Sequence, residues 1–163
     1  MALKIRSRPA PFFLATFCML ITANSFAANP LGFSSLVNPA FGDLLAGTSG
    51  RNFILGTNGA ISGTDAVDYI SGAMAGSLVI TGDPAQSISI QASNLTADGG
   101  VNIVNVTCNY DASGDQNCVT GFTGSPPTNA GKILLMGVEI NTTTTHGDND
   151  TASPSFDIVI NYI

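Results

Sequence analysis

A chain of 163 residues with 5 basic and 11 acidic side chains, a pI near 4.2 and no tryptophan is too acidic to seat nucleic acid or an anionic lipid surface. Many Val, Ile, Leu and Phe residues in short regular runs also exclude a disordered acidic polymer. Three of the five basic residues (Lys4, Arg6 and Arg8) precede an apolar run, "APFFLATFCMLITA" at 10–23, and then "NSFAAN" with Ser25 and Ala27 at the small-residue positions before a cleavage point.

Residues 1–27 are therefore predicted to be a secretory signal peptide cut before Ala28. The apolar run is shorter than the roughly 20 residues that span a bilayer, and Pro11 interrupts it. Phe17 ahead of Cys18 is wrong for a lipoprotein. The expected location is outside the cytoplasm, on the surface or in the periplasm. Without its signal the chain keeps Arg51 and Lys132 against eleven acids, a formal charge of −9 over 136 residues. That length suits one domain with a proper core.

The first segment, 28–42, reads "NPLGFSSLVNPAF" from Asn29, with Leu31, Phe33, Val37 and Phe41 on one parity. Pro30 and Pro39 bar it from the middle of a sheet. It is read either as an edge strand of its own domain or as a donor strand completing a neighbour. The domain proper, 43–163, shows no helical periodicity. Strands are predicted at "NFIL" (52–55), before the turn signal "GTNG", and at "SLVIT" (77–81), before "GDPAQ". "SISIQAS" (87–93) puts Ile88 and Ile90 on one face. Strict alternation in "VNIVNVT" (101–107) puts Val101 and Ile103 on one face and Val104 and Val106 on the other.

Cys108 and Cys118 flank "NYDASGDQN". In an exported protein a lone close pair is most simply a disulfide across a turn; a two-ligand metal site or redox chemistry are the alternatives. A loop follows at 123–131. "KILLMGVEINTTT" (132–144) is a long strand whose Gly137 is read as a bulge. The last strand, "PSFDIVINYI", alternates Phe156, Ile158, Ile160 and Tyr162 inward and leaves an edge for a partner chain. The pattern as a whole predicts an all-β, immunoglobulin-like Greek-key sandwich.

Catalytic sets are missing. His146, the single histidine, lies in a polar loop, read as flexible, with no G-x-S-x-G elsewhere, and Glu139 is the single glutamate. No enzyme activity and no cofactor are expected. Calcium has weak candidates in Asp111, Ser113 and Asp115, and in Asp148 and Asp150, but turn-forming aspartates explain both loops without a metal. Four N-x-T sequons (Asn94, Asn105, Asn141, Asn149) are read as by-products of Asn/Thr-rich strands.

With the strands placed, "FGDLLAGTSGRNFILGTNGAISGT" (41–64), "AGSLVITGDPAQSISI" (75–90), "KILLMGVEI" (132–140) and "SFDIVINYI" (155–163) resemble a family of bacterial secreted β domains catalogued as domain of unknown function 4402. The Cys108–Cys118 insertion and the polar loop 141–154 depart from that pattern. The family in turn resembles chaperone–usher pilins, which carry an alternating N-terminal extension and a tyrosine placed as Tyr162 is here. A pilin's glycine near fourteen residues from its end is not matched: Asp150 stands there, with Gly147 nearby. The resemblance implies a fimbrial or filament subunit that assembles by strand addition with copies of itself or related subunits, helped by a periplasmic chaperone and an outer-membrane usher. Its interface would be Leu31, Phe33, Val37, Phe41, Phe156, Ile158, Ile160 and Tyr162. The other expectation kept open is a monomeric binding module for calcium or a glycan, using the polar loops.

Overall fold

Strand formers separated by Gly, Asn, Asp and Pro leave the chain few alternatives to antiparallel sheets. The computed structural model describes residues 29–47, 49–147 and 149–163. The predicted signal peptide and Asp148 lie outside the described residues. Twelve strands follow in order: β1 (Gly32–Val37), β2 (Asp43–Leu44), β3 (Asn52–Leu55), β4 (Ile61–Ser62), β5 (Tyr69–Ser71), β6 (Gly76–Thr81), β7 (Ile88–Thr96), β8 (Val101–Tyr110), β9 (Gln116–Asn117), β10 (Phe122–Gly124), β11 (Lys132–Thr142) and β12 (Ser155–Tyr162). One 3-10 turn, Ala66–Asp68, precedes β5.

The larger sheet is built around β11. One edge of β11 pairs with β8 along nearly its whole length. The other pairs first with β6, over Lys132–Met136, and then with β3, over Val138–Asn141. β1 adds outside β6, β4 outside β3 and β9 outside β8. The second sheet has three strands in the order β10-β7-β12, and β2 pairs with β5 in a small ribbon. The protein is an all-β antiparallel sandwich.

The fork on β11 explains Gly137. A Cβ there would sit against the backbone of Leu55, Gly56 and Thr57, so the bare backbone lets the end of β3 turn across the sheet. Gly137 marks this close approach and not the expected bulge. The irregularity is in β8, where Asn105 faces Glu139 but Ile103 faces Ile140. Val104 is the extra residue, half exposed, and the parity flips around it. Val101 and Ile103 therefore face inward on the same side as Val106, Cys108 and Tyr110, Val101 in the second core cluster and Ile103 between the two, which corrects the strict alternation read from the sequence.

The principal core lies between the sheets. Leu78, Ile80, Val106, Leu134 and Met136 meet Ile88, Ile90 and Ala92 there. Ile80, Ile88, Ile90 and Leu134 are fully buried, each contributing on the order of 1.5–3 kcal/mol. A second cluster, Phe53, Val101, Val138 and Ile140, fills the other end.

Cys108 and Cys118 form a disulfide inside the principal core. Its position joins the layers: the Cys118 amide donates to the Val106 carbonyl on β8, and its carbonyl accepts from Ala92 on β7, at 2.8 and 2.7 Å. With no membrane-length apolar helix among the described residues, this disulfide fits an exported protein. Replacing both cysteines by alanine should lower stability by about 2–3 kcal/mol, read as a shifted urea midpoint under non-reducing conditions.

Tyr110 is almost fully buried beside the disulfide, and its hydroxyl has no hydrogen-bond partner among the described residues. Burial, and then the charge of Asp111, push its pKa up to about 12. Below pH 10 the phenol is neutral whether folded or unfolded. Above 10 the unfolded chain ionises first, so stability should fall between pH 10 and 12. In Tyr110→Phe the fall across that window should be smaller, as measured by chemical denaturation at each pH.

Candidate functional site

The two sheets are of unequal width. β12 pairs with β7 by one edge, and among the described residues no strand pairs with its other edge. The larger sheet continues past it through β6 to β1. The uncovered inner surface forms a cleft of about 1290 Å³. Leu78, Met136, Val138 and Ile140 make its floor, Phe156 and Ile158 of β12 one wall, and Phe33 and Leu36 of β1 the other.

One end of the cleft is roofed by residues 38–47. Ala40 and Met74 exchange both backbone hydrogen bonds at 2.8 Å, and β2 pairs with β5. Arg51 pins the roof from below: Nη1 donates to the Leu45 carbonyl at 2.9 Å and Nη2 reaches Asp68 at 3.2 Å. Gly47 and His146 exchange backbone bonds at its far end. Phe41 and Leu44 project from the roof onto the second core cluster, where Phe156 also packs. The roof thus plugs one end of the cleft, and at the other the Tyr162 hydroxyl ties β12 to the Asn29 carbonyl ahead of β1 and to the Asp83 amide after β6.

β1 pairs with β6 of its own chain, as an edge strand. Phe33 faces Ile80, yet Val37 faces Ser77, so one residue is extra between them, and Ser35 there has a φ of 53°. The bulge reverses parity. Leu36 turns to the cleft side and Val37 to the outer face, which corrects the single-faced row read from Leu31 to Phe41. Of the eight predicted interface residues, Phe33, Phe41, Phe156 and Ile158 line the cleft. Leu31, Ile160 and Tyr162 pack on the principal core beside it, and Val37 is outside it. The alternation in β12 is as expected, with Phe156, Ile158, Ile160 and Tyr162 inward. Residues 31–41 do not pair with β12; its partner in the chain is β7.

Leu36, Leu78, Met136 and Val138 were not among the predicted site residues. Leu78, Met136 and Val138 carried only a core signal in the sequence. Leu36 was hidden because a left-handed serine leaves no mark in a hydrophobic pattern.

The polar loops are held by internal partners. Asp111 bonds Lys132 Nζ at 2.6 Å, and the Ser113 amide donates to the Tyr110 carbonyl. Asp115 accepts from Thr57 Oγ1 at 2.8 Å and from Asn109 Nδ2 at 3.1 Å. Asp150 accepts from the Gly147 amide at 2.7 Å and lies 3.9 Å from His146 Nδ1. Among the described residues no three His, Cys, Asp or Glu side chains gather as a metal site. His146 is not in a loose loop: its backbone is tied to Gly47, and its side chain is largely covered at the roofed end of the cleft.

No family profile, curated protein or solved structure matches this chain.

Phe156 touches both core clusters, so Phe156→Ala should lower stability by about 2–3 kcal/mol. Leu36 is 64% exposed, and Leu36→Ser should stay within about 0.5 kcal/mol. Denaturant melts of the two variants check the contrast between wall and rim.

Proposed function

We propose that the protein is a structural or adhesive surface subunit that assembles by β-strand addition, its cleft receiving an extended strand from a second copy. The observation that carries this reading is a cleft with an apolar floor beside the edge of β12 that pairs with no strand among the described residues. A strand laid there would find free backbone groups on one side and an apolar floor below, the two elements of β-augmentation. Phe33, 55% exposed, and Leu36 stand at the rim where such a strand would cover them. The resemblance of the sequence to pilin-like secreted domains points the same way. The loops whose carboxylates already have partners within the protein favour assembly over ion binding.

Purified protein should form filaments or ladders of oligomers, seen by negative-stain microscopy and size-exclusion chromatography. The Phe33→Lys/Leu36→Lys double variant, with both changes at exposed rim positions, should fold normally and stay monomeric. A wild-type protein that remains a monomer at every concentration and after slow concentration from mild denaturant overturns the reading.

A further inference from the structure

Tyr162 joins three parts of the chain that are distant in sequence. Its hydroxyl donates to the Asn29 carbonyl at 2.5 Å and accepts from the Asp83 amide at 2.6 Å. A phenol has one proton to give and lone pairs to receive, so this one oxygen serves in both directions. Asn29 lies three residues before β1. Asp83 follows the end of β6, the strand on which β1 is docked. Tyr162 itself belongs to β12 in the opposite sheet.

We infer that Tyr162 is the latch that holds residues 29–37 on β6, and that release of this arm is governed by its hydroxyl separately from the stability of the sandwich. Two further side-chain bonds reach the arm, both longer: Thr81 Oγ1 donates to the Gly32 carbonyl at 3.3 Å and Asn29 Nδ2 to Asn129 Oδ1 at 3.4 Å. The arm's ladder with β6 is an edge pairing broken at Ser35, and its two cleft-facing side chains, Phe33 and Leu36, are mostly in solvent. Leu31 is the arm's one side chain in the principal core. It sits next to Gly82, where any Cβ would collide with the Tyr162 hydroxyl and crowd Leu31 Cδ2. Beyond the arm the chain is fixed again, with Pro39 against Gly76 and Ala40 bonded to Met74. Asn38 is left as the hinge.

An arm fastened at its tip and hinged at its base opens as a unit once the tip is freed. Opening uncovers the outer edge of β6 without disturbing Ile80, Ile88 or Ile90 in the core. The latch concerns a single chain and holds whether or not copies assemble.

Native-state amide exchange on the full chain tests this. In Tyr162→Phe, which keeps the ring, exchange at residues 32–37 should quicken about tenfold, the effect of losing one well-formed hydrogen-bond set. Exchange at Ile88–Ala92 and Val106–Tyr110 should keep the wild-type rate. A chain lacking residues 1–30 removes the Asn29 carbonyl, together with the 3.4 Å bond from Asn29 Nδ2 to Asn129, but keeps Tyr162. It should show the same local quickening, and adding Tyr162→Phe to it should give less than the product of the two effects. Unchanged exchange at 32–37 in Tyr162→Phe, equal quickening across β7 and β8, or fully multiplicative effects in the combined variant would each overturn the latch.

Discussion

Everything in this fold hangs on β11 being used along both edges by three different strands. Five alternate side chains, Leu134, Met136, Val138, Ile140 and Thr142, are buried on its inner face, spanning both core clusters. A strand so committed cannot shift by one residue without turning all five to solvent. It therefore sets the register of β8, β6 and β3 together. Where β6 ends and β3 begins, two chain segments compete for one edge, and Gly137 settles the competition by leaving room for the Leu55–Thr57 backbone. The second sheet then has no freedom in height, because Cys118 bonds to β8 and β7 at once.

The β character, the major strand positions and the cysteine pairing were all legible in the sequence, because period-two apolar runs and turn residues are local signals. The faces of two strands were not. In both β1 and β8 a single inserted residue reverses parity, and the residues involved, Ser35 and Val104, are ordinary strand residues. A bulge is a property of the pairing, and a pattern read along one strand contains no term for its partner. The cleft was half legible for the same reason. Phe156 and Ile158 were found from alternation within β12. Leu36 depended on a register that exists only once β1 meets β6.

The unequal width of the two sheets is the feature that separates this protein from a closed sandwich. Three strands cannot cover the inner face of a sheet that continues to β1. The chain covers one end of the excess with the 38–47 roof, secured by Arg51, and leaves Phe33 and Leu36 largely exposed along the rest. Its two cations outside the predicted signal segment are both spent inside the fold, Arg51 under the roof and Lys132 on Asp111. The remaining surface is acidic, so copies that approach one another do so against charge repulsion, and any association must draw on the apolar cleft.

The pairing of β12 with β7 has a consequence for the order in which the molecule can be built. β7 presents two edges and fully buried side chains, yet the strand that protects one edge lies far along the chain, beyond β8, β9, β10 and β11. A chain delivered from its first residue onward holds the larger sheet's strands β1, β3, β6, β8 and β11 while β7 still waits for its neighbour. During that interval a bare edge and an apolar face stand ready to pair with whatever strand arrives. Folding by long-range pairing of this kind is slow, and the interval is the time in which a helper protein, or a mistaken partner, would meet the chain.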